Sequence, residues 1–248
     1  MQEIWLSQEY AEVGTDYGNF MQDNPALAAM LNQSPCVTWI LDLRCLQFVF
    51  VSSNTQALLG YDPVLFSSRG LAFVNEITHP DDLLKNWDLV RKIWDLLVAQ
   101  PPAKRMHYKF THDYRLAKAS GAYLRILEQC AVLQQDRRGN ITHLLGICSD
   151  ITQLKKHGTL AASLLNTEDS TCRFLTPDTG NPNPQEVLSR RELEIIKLIA
   201  GGYSSKQIAD SLCIGFNTVN THRQNIIRKT KTRNTGEFVQ FAIGHGLI

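Results

Sequence analysis

Three prolines and a glycine within nine residues constrain this chain more than any other feature of its sequence. They occur in Thr176-Pro-Asp-Thr-Gly-Asn-Pro-Asn-Pro184. Proline lacks the backbone N–H that a helix interior or a central strand requires, so neither element can run through this stretch. A chain of 248 residues has room for one large domain or two modest ones, at about 150 residues per domain. We therefore place a domain boundary here, within a linker predicted over residues 156–186.

The distribution of charge divides the chain near the same place. From Leu188 onward there are nine Lys or Arg and four Asp or Glu residues, a net charge of +5, whereas the first 187 residues carry −4. The two parts nearly cancel, so the whole chain has a formal net charge of only +1. A compact basic tail on a mildly acidic body predicts a polyanion-binding module at the C-terminal end.

Composition excludes several protein classes. Hydrophobic residues make up 44% and charged residues 20% of the chain, which is ordinary for a globular protein and excludes wholesale disorder. No apolar run reaches the roughly 18 residues of a membrane helix, since the richest one, Cys36–Val51, contains Asp42 and Arg44. No basic segment precedes an apolar block at the N-terminus, so we expect no signal peptide, no membrane partner and a cytoplasmic location.

The cysteines predict neither disulfides nor a metal site. All six lie far apart, form no C-x-x-C pair and have mainly apolar neighbours. This pattern favours reduced, buried thiols over a disulfide framework or a zinc site. No nucleophile elbow, P-loop or metalloprotease helix occurs, so we expect no catalytic residues and no metal. The cysteines are Cys36, Cys45, Cys130, Cys148, Cys172 and Cys213.

The first half of the chain alternates short strands with helices, after a helical extension predicted over residues 1–32. His79-Pro-Asp-Asp82 opens a long helix that Asp81 or Asp82 can cap. Two strands, short helices, one long helix and three strands predict an antiparallel sheet with helices on one side. The extension's helices are predicted at Ile4–Val13 and Ala26–Leu31, and the strands at Val37–Leu41, Phe48–Ser52, 106–115, Tyr123–Gln134 and Ile141–Ile151.

A period of two marks the third of these strands. Large side chains alternate with polar ones over residues 106–115, which is typical of a half-buried strand. We expect the aromatic face to line the interior of the domain, and any small ligand to touch it. That face consists of Tyr108, Phe110, His112 and Tyr114, and the opposite face carries Lys109, Asp113 and Arg115.

This order of elements resembles a PAS sensor domain over residues 33–155. The motif His79-Pro-Asp-Asp82 before the long helix and Ser149-Asp-Ile-Thr152 after the last strand carry the resemblance. It implies a five-stranded antiparallel sheet around a small cavity. Such cavities hold haem, flavin, a small metabolite or nothing, and many PAS domains dimerise.

The sequence itself requires no cofactor. His79, His107 and His112 are candidate haem ligands, but a hydrogen-bonded or exposed histidine is the simpler interpretation of each. Thr171-Cys-Arg-Phe-Leu175 resembles part of a flavin-binding cysteine loop, yet it follows the last PAS strand instead of preceding the long helix. We therefore expect neither haem nor flavin.

The basic tail is predicted to form four short helices. Ser189-Arg-Arg-Glu192 and Ser204-Ser-Lys-Gln207 are capping boxes, and Gly201-Gly202 ends the first helix. The third helix is predicted over about Asn217–Lys229, and Asn234 caps the fourth. Two short helices joined by a tight Gly-containing turn, the second carrying basic and amide side chains, are typical of a helix-turn-helix.

One face of the third helix carries the side chains suited to DNA. On a helical wheel Val219 and Ile226 point to the core, opposite this polar face. Asn and Gln can bond adenine through two hydrogen bonds, and Arg can bond guanine or phosphate. We assign Arg228 and Lys229 to phosphates, and Asn220 and Gln224 to bases. The predicted DNA-binding residues are Lys206, Asn217, Thr218, Asn220, Thr221, Arg223, Gln224, Arg228 and Lys229.

Residues 187–248 resemble a LuxR/FixJ-type DNA-binding domain. The resemblance implies an all-α module of four helices, in which the third enters the major groove with Asn220, Thr221 and Gln224 at base edges. Asn220 stands where this family often has Lys, and Gly215 stands where it usually has a Ser or Thr cap. The matching residues are Leu188-Ser-Arg-Arg-Glu192, Ile199-Ala-Gly-Gly202, Lys206-Gln-Ile-Ala209, Thr218-Val219, His222, Asn225-Ile226, Lys229 and Gly246-Leu-Ile248.

We also predict a homodimer. One module of about 60 residues contacts too little DNA for specificity in a genome, and a symmetric pair doubles the contacts. The resemblance gives the fourth helix a role in dimerisation, and its second apolar set would meet the symmetry mate, although Val239 and Ile243 can instead pack under the first helix. The core set is Phe238, Phe241, Ala242 and His245, and the second set is Val239, Ala242, Ile243 and Leu247.

These features predict an α+β chain with a helical extension (1–32), a PAS-like domain (33–155), a linker (156–186) and a LuxR-type helix-turn-helix domain (187–248). The predicted function is bacterial transcription regulation, with a signal sensed by the PAS domain and double-stranded operator DNA bound by the tail. Two alternatives remain. The PAS domain could be a protein-interaction or dimerisation module without a small-molecule ligand, or an enzyme, which needs a convergent acid–base or nucleophile set that the sequence does not reveal.

Overall fold

The chain divides into two compact units, Met1–Pro177 and Asp178–Ile248. The computed structural model describes residues 2–155, 160–177, 188–230, 232 and 234–244. Each unit has its own cluster of buried apolar side chains. The predicted fold class is confirmed, since an antiparallel sheet with helices forms the first unit and helices alone form the second. Among these residues, no helix is long and apolar enough to cross a bilayer.

A seven-stranded antiparallel sheet forms the larger unit. Its strands are β1 (Val37–Asp42), β2 (Gln47–Val51), β3 (Tyr108–Ala117), β4 (Tyr123–Gln135), β5 (Ile141–Asp150), β6 (Ala162–Asn166) and β7 (Cys172–Leu175). They lie in the order β2-β1-β5-β4-β3-β6-β7. The first five strands occupy the predicted positions to within two residues at each end. Alternation does not describe β1, which is buried at all six residues.

Two strands occupy part of the segment that the sequence predicts as a linker. β6 pairs with β3, from Tyr108 opposite Asn166 to His112 opposite Ala162, and β7 pairs with β6. The linker prediction over 156–186 is therefore corrected, since its residues 162–175 extend the sheet. Both strands are short and are separated by polar turn residues, so they lack the long alternating run that identifies β3 to β5 from sequence.

In the part of this unit that the structure describes, seven helices accompany the sheet. They are α1 (Gln2–Leu6), α2 (Tyr17–Asp23), α3 (Pro25–Asn32), α4 (Thr55–Leu58), α5 (Pro63–Ile77), α6 (Pro80–Val98) and α7 (Pro102–Arg105). The predicted helix Ile4–Val13 ends early, at Leu6, and α2 was not predicted. Asp16 caps α2 by accepting a hydrogen bond from the Asn19 backbone N–H at 3.1 Å.

The cap of α6 differs from the prediction. His79, not Asp81 or Asp82, accepts the capping bond, through Nδ1 at 3.2 Å from the backbone nitrogen of Asp81. Asp82 is buried and receives the side chain of Arg115, with Nη2 2.6 Å from its Oδ1. The carboxylate thus joins the start of α6 to β3, an interaction that helix-capping rules alone do not predict.

Four helices lie within the described residues of the smaller unit. They are α8 (Arg190–Ala200), α9 (Ser205–Ser211), α10 (Phe216–Thr230) and α11 (Thr235–Gly244). Both predicted capping boxes are confirmed, at Ser189 with Glu192 and at Ser204 with Gln207. Val219 and Ile226 are fully buried, as the helical wheel predicts. α10 begins one residue before the predicted start and ends one residue after the predicted end.

The fourth helix is less divided than predicted. Phe238 and Ala242 are fully buried, and Val239 packs against the same core. The outward role predicted for Val239 and Ala242 is therefore corrected. Leu247, His245 and the side chain of Ile243 lie outside the described residues.

All six cysteines are free thiols. Cys130 and Cys148 are buried as predicted, and Cys36 is half-buried. The prediction of buried thiols is wrong for Cys45, Cys172 and Cys213, which are exposed. These three lie in a β-turn, on an edge strand and in the turn before α10, where apolar sequence neighbours do not imply burial.

Candidate nucleic-acid interface and ligand cavity

The third helix of the smaller unit, α10, presents a polar face to solvent. Its buried side is formed by Val219 and Ile226, and the face opposite them is open to solvent because a helix turns about 100° per residue. Asn220 is half-buried. Lys206 is exposed near the start of α9, the other helix of the predicted helix-turn-helix. The exposed polar residues of α10 named in the prediction are Asn217, Thr218, Thr221, Gln224 and Arg228.

Arg223 has an internal role, although the sequence predicts a DNA contact. Its Nη1 donates to the Ser205 hydroxyl at 2.9 Å, and its Nη2 donates to the Thr235 hydroxyl at 2.7 Å. The guanidinium therefore connects α10 to the starts of α9 and α11. This bracing role was not predicted, and the DNA contact of Arg223 stays a prediction.

Lys229 is also used inside the unit. Its Nζ lies 2.8 Å from Oε2 of Glu192, a buried carboxylate that also accepts the backbone N–H of Ser189. Burial raises the pKa of Glu192, but the bonds from Lys229 and Ser189 outweigh it and lower that pKa below its ordinary value. Lys229 thus compensates a buried charge, and its assignment to a DNA phosphate stays a prediction.

Sequence reasoning missed one exposed aromatic residue beside the polar face. Phe216 opens α10 and is 52% exposed, although its side chain is large and apolar. It follows Gly215, whose carbonyl accepts the N–H of Val219 at 3.1 Å. The sequence analysis predicts this residue in the turn before the helix, so its exposure at the helix start was not foreseen.

The larger unit encloses a cavity of about 100 Å³ between the sheet and helices α5 and α6. Phe110, His112 and Tyr114 lie in its wall, as the alternation of β3 predicts. Tyr108 is half-buried and packs against the core without lining the cavity. Other aromatic walls come from Trp39, Phe48, Phe66 and Trp94.

The opposite face of β3 differs from the prediction at one residue. Lys109 is exposed and Arg115 half-buried, but Asp113 is only 3% exposed. Its Oδ1 accepts the Lys155 ammonium at 2.8 Å and the backbone N–H of Ala161 at 2.9 Å, and its Oδ2 accepts the Arg125 guanidinium. Asp113 therefore joins β3, β4 and the chain on both sides of residues 156–159.

A polar cluster forms one part of the cavity wall. His112 Nε2 lies 3.0 Å from Oε2 of Glu128, and its Nδ1 lies 2.7 Å from Oδ1 of Asn86. The Tyr114 hydroxyl donates to Oε2 of Glu128 at 3.0 Å, and the Cys148 thiol donates to Oε1 at 3.5 Å. The carboxylate of Glu128 thus accepts hydrogen bonds from Tyr114 and Cys148 and also lies beside the His112 ring.

Burial and hydrogen bonding set the charges in this cluster. Burial raises the pKa of Glu128, but its contacts with His112, Tyr114 and Cys148 outweigh that effect and hold the pKa below its ordinary value. Burial, with the nearby Glu128 charge, raises the pKa of the Tyr114 phenol well above its ordinary value. The same two causes raise the pKa values of the Cys130 and Cys148 thiols. Glu128 is therefore the anion, and the phenol and thiols stay neutral.

The cluster contains a possible set of metal ligands. The ligand atoms of His112, Glu128 and Cys130 lie within 4.8 Å of one another, whereas the sequence predicts no metal site. The alternation of β4 places Glu128 and Cys130 on one face, which is the signal that was missed. As arranged, both ring nitrogens of His112 have hydrogen-bond neighbours. Cys130 has a raised pKa, the opposite of an activated nucleophile.

The other candidate cofactor ligands lie away from the cavity wall. His79 caps α6, and His107 is exposed. The segment Thr171–Leu175, which resembles part of a flavin loop, ends in β7 at the sheet edge. None of these residues lines the cavity.

Trp5, which sequence reasoning also missed, completes the wall from the N-terminal extension. It is the one buried residue of α1, only 3% exposed, and it lines the cavity. Its ring makes edge contacts with Trp87 and Trp94, with ring centroids 6.0 Å and 5.4 Å away. Its Nε1 is buried and has no hydrogen-bond partner within the described part of the chain.

Known proteins resemble parts of this chain. Oxygen regulatory protein NreC of Staphylococcus aureus (strain JH9) is 40% identical over 72 residues, which are 29% of this chain and 33% of NreC. The chain thus spans about a third of the curated relatives it matches. A Vibrio cholerae VqmA dimer structure covers 90% of this chain and 88% of its own, at 14% identity and a TM-score of 0.38. A structure of a PAS domain from Colwellia psychrerythraea covers 52% of this chain and 97% of its own, at 18% identity and a TM-score of 0.40.

Two family models match separate regions. The model of the PAS fold matches residues 48–148, and the model of bacterial regulatory proteins of the luxR family matches residues 186–242. Both matches confirm the resemblances drawn from the sequence. The chain therefore combines a PAS fold with a DNA-binding domain of the bacterial luxR family of regulatory proteins.

Proposed function

We propose that this protein is a bacterial transcription regulator that senses a signal through its PAS domain and binds operator DNA through α10. The observation that supports DNA binding best is the exposed polar face of α10, on which Asn217, Thr221, Gln224 and Arg228 stand without an acidic neighbour. Amide and guanidinium groups on one helix face can read base edges in the major groove. The place of action we propose is the bacterial cytoplasm, where the DNA is.

The cavity supports a sensory role for the PAS domain. An engineered protein cavity of about 150 Å³ binds benzene, so a cavity of about 100 Å³ suits a ligand of similar or smaller size. Haem and flavin are far larger than this, and we propose neither. We assign Phe110, His112 and Tyr114 to ligand contact and Tyr108 to support of the wall.

We propose binding without catalysis in this cavity. His112, Glu128 and Cys130 converge, as an acid–base or nucleophilic site would require. However, the carboxylate is held as an anion by its hydrogen bonds, and burial keeps the thiol protonated. A cysteine nucleophile needs a lowered pKa, so the cluster fits a rigid recognition surface better than a reactive one.

We further propose that the regulator acts as a homodimer on a two-fold symmetric operator. A module of this size reads few base pairs, and symmetry doubles the contacts. Because Val239 and Ala242 pack into the core of the smaller unit, this proposal assigns the main dimer contact to the larger unit.

The DNA assignment can be tested with the full-length chain. A preferred duplex is selected from a random-sequence library, and binding is followed by fluorescence anisotropy at several salt concentrations. We expect Gln224→Ala to weaken binding to the selected site alone, by about 1–3 kcal/mol. We expect Arg228→Ala to weaken binding to every duplex and to lower the salt slope by about one.

The matched control is Lys197→Ala, which removes one exposed positive charge from α8 instead of α10. Its affinity for both kinds of duplex should stay within twofold of the unchanged chain. The assignment fails if Gln224→Ala and Arg228→Ala reduce specific and non-specific binding equally. DNA binding itself fails as a proposal if the selection enriches no sequence.

A further inference from the structure

Trp5 differs from the other cavity residues because it comes from a short N-terminal helix. Ile4 and Leu6, its neighbours in α1, are 45% and 54% exposed, so Trp5 is the side chain that attaches this helix to the body. The Tyr10 hydroxyl donates to the Trp5 carbonyl at 2.9 Å, and the N–H of Ala11 donates to Asp136 at 2.8 Å. The segment after α1 is thus anchored at Ala11, while Trp5 closes the cavity.

The indole N–H of Trp5 lacks a partner, and this is unusual for a buried donor. The large majority of buried polar groups in proteins are hydrogen-bonded, and an unpaired one needs an explanation. Trp87, which contacts the Trp5 ring, shows the usual arrangement, since its Nε1 donates to Asn75 Oδ1 at 2.9 Å. An indole N–H can only donate, so the missing partner must be an acceptor.

The remaining wall sets further limits on what could supply that acceptor. Most lining residues are apolar or aromatic, and burying an unpaired charge among them is strongly unfavourable. The carboxylate of Glu128 already accepts hydrogen bonds from Tyr114 and Cys148 and lies beside His112, so its charge is compensated within the wall. The volume of about 100 Å³ admits about one small ring.

We propose that Trp5 is a ligand-binding residue of the cavity. Its N–H donates to the acceptor atom of a small, flat, uncharged aromatic molecule, and α1 closes the cavity over that molecule. This inference rests on the proposed sensory function of the cavity, and it adds both a binding residue and a chemical class of ligand.

Two probes of equal shape test the proposal on the full-length chain. Pyridine, kept neutral at pH 7.5, carries one ring acceptor, and benzene carries none. The chain has four tryptophans, so labelling them with ¹⁵N gives indole N–H signals that can be followed during titration. The signal lost in Trp5→Phe identifies Trp5, and we expect pyridine, but not benzene, to move it downfield.

The ratio of the two dissociation constants provides the second measurement. Removing one hydrogen bond should shift this ratio toward benzene by about three- to tenfold in Trp5→Phe. Trp87→Phe is the matched control, because it removes a neighbouring indole whose N–H is already bonded. Its ratio should change by less than about 1.5-fold, since the donor facing the ligand is retained.

An unchanged ratio in Trp5→Phe, or a Trp5 signal that responds equally to both probes, would overturn the proposal. So would the absence of any indole response to either probe. If Trp5→Phe does not fold, Phe variants of Trp39, Trp87 and Trp94 identify the Trp5 signal by elimination, and its downfield shift in the unchanged chain decides the question. DNA binding is measured on the same samples, so that failure of this inference can be distinguished from failure of the proposed regulator function. A chain that binds its selected duplex but neither probe refutes this inference alone.

Discussion

Lys229 illustrates the limit of reading function from charge at the level of single residues. It lies in a stretch, Arg223–Arg233, that contains five basic and no acidic residues, and such a stretch predicts phosphate contacts. Its ammonium group instead lies 2.8 Å from the buried carboxylate of Glu192. The two residues are far apart in the sequence, so the pattern of charges indicates the partner of the whole surface but not the partner of each cation.

Replacing Lys229 with Ala should therefore reduce stability as well as DNA affinity. The change leaves Glu192 buried without its cation, and Lys229 is 31% exposed, so we expect a loss of about 1–2 kcal/mol, less than a fully buried pair would give. Arg228→Ala should stay within about 0.5 kcal/mol. Urea unfolding followed by circular dichroism measures this for the helical unit, and equal stability of both variants would contradict the assignment.

Cys213 carries backbone strain in the turn before α10. Its φ is 51°, a left-handed conformation that side chains with a Cβ disfavour. Replacement by Gly should raise the free energy of unfolding of the smaller unit by up to about 1 kcal/mol, since relief of strain exceeds the added freedom of the unfolded chain. The same urea experiment tests this. Cys172→Gly, in an extended strand of the larger unit, is the control, and it should lower the free energy of unfolding of that unit.

His143 should make the larger unit sensitive to mild acid. It is 1% exposed, and burial lowers its pKa despite the nearby carboxylate of Asp42. Between the ordinary pKa near 6.5 and the lower value in the folded state, the unfolded chain binds more protons, so stability falls as the pH is lowered. Unfolding followed by tryptophan fluorescence should show a lower midpoint at pH 5.5 than at 7.5, and His143→Gln should reduce this difference.

At the level of elements, local pattern accounts for most of the sheet. β3, β4 and β5 are long enough for their alternation to identify both the strands and the inward face of Phe110 and Tyr114. β6 is only five residues long, and its stability comes from pairing with β3, which is more than 40 residues earlier in the chain. A short stretch of sequence does not contain such a distant partner, so the sequence predicts a linker where β6 and β7 form.

The polar cluster in the cavity was beyond prediction for a related reason. The alternation of β3 places His112 inside, and that part of the site follows from sequence alone. Glu128 stands opposite His112, and also opposite Cys148, because of the strand register. Register depends on how whole strands align, and a single sequence does not specify it.

Asp113 should be the residue that secures β6 to the sheet. It is buried, and removing it leaves the buried guanidinium of Arg125 and the half-buried ammonium of Lys155 without their shared carboxylate. We expect Asp113→Ala to destabilise the larger unit by about 2–4 kcal/mol, and hydrogen exchange to become faster at Ala161 and along β6. Lys109→Ala, an exposed change on the same strand, is the control. Unchanged protection of β6 would show that strand pairing alone holds it.

At the scale of the whole molecule, the two-part organisation could be predicted because independent signals agreed. The prolines between residues 176 and 184 and the change in charge at Leu188 both place a division there. The division at Pro177 and Asp178 falls inside the predicted linker. Composition reveals such a division because each unit must bury its own core.

The oligomeric state is a prediction at this scale. Light scattering should give the mass of two chains for the full-length protein at micromolar concentration, because the proposed contact lies in the larger unit. Binding to a selected duplex should be cooperative between half-sites. A protein that stays monomeric and fills half-sites independently would contradict the homodimer, without affecting the assignment of α10.

The pairing of β6 with β3 also determines where the larger unit can be cut. A fragment ending at Lys155, where the sequence predicts the end of the PAS-like domain, would leave the backbone groups of Tyr108–His112 that face β6 without their partners. An open strand edge beside an apolar cavity wall is a template for pairing with other chains. A fragment extended past Leu175 keeps that edge covered. Whether an isolated sensor domain stays in solution or aggregates therefore depends on residues 156–175, which the sequence predicts as linker.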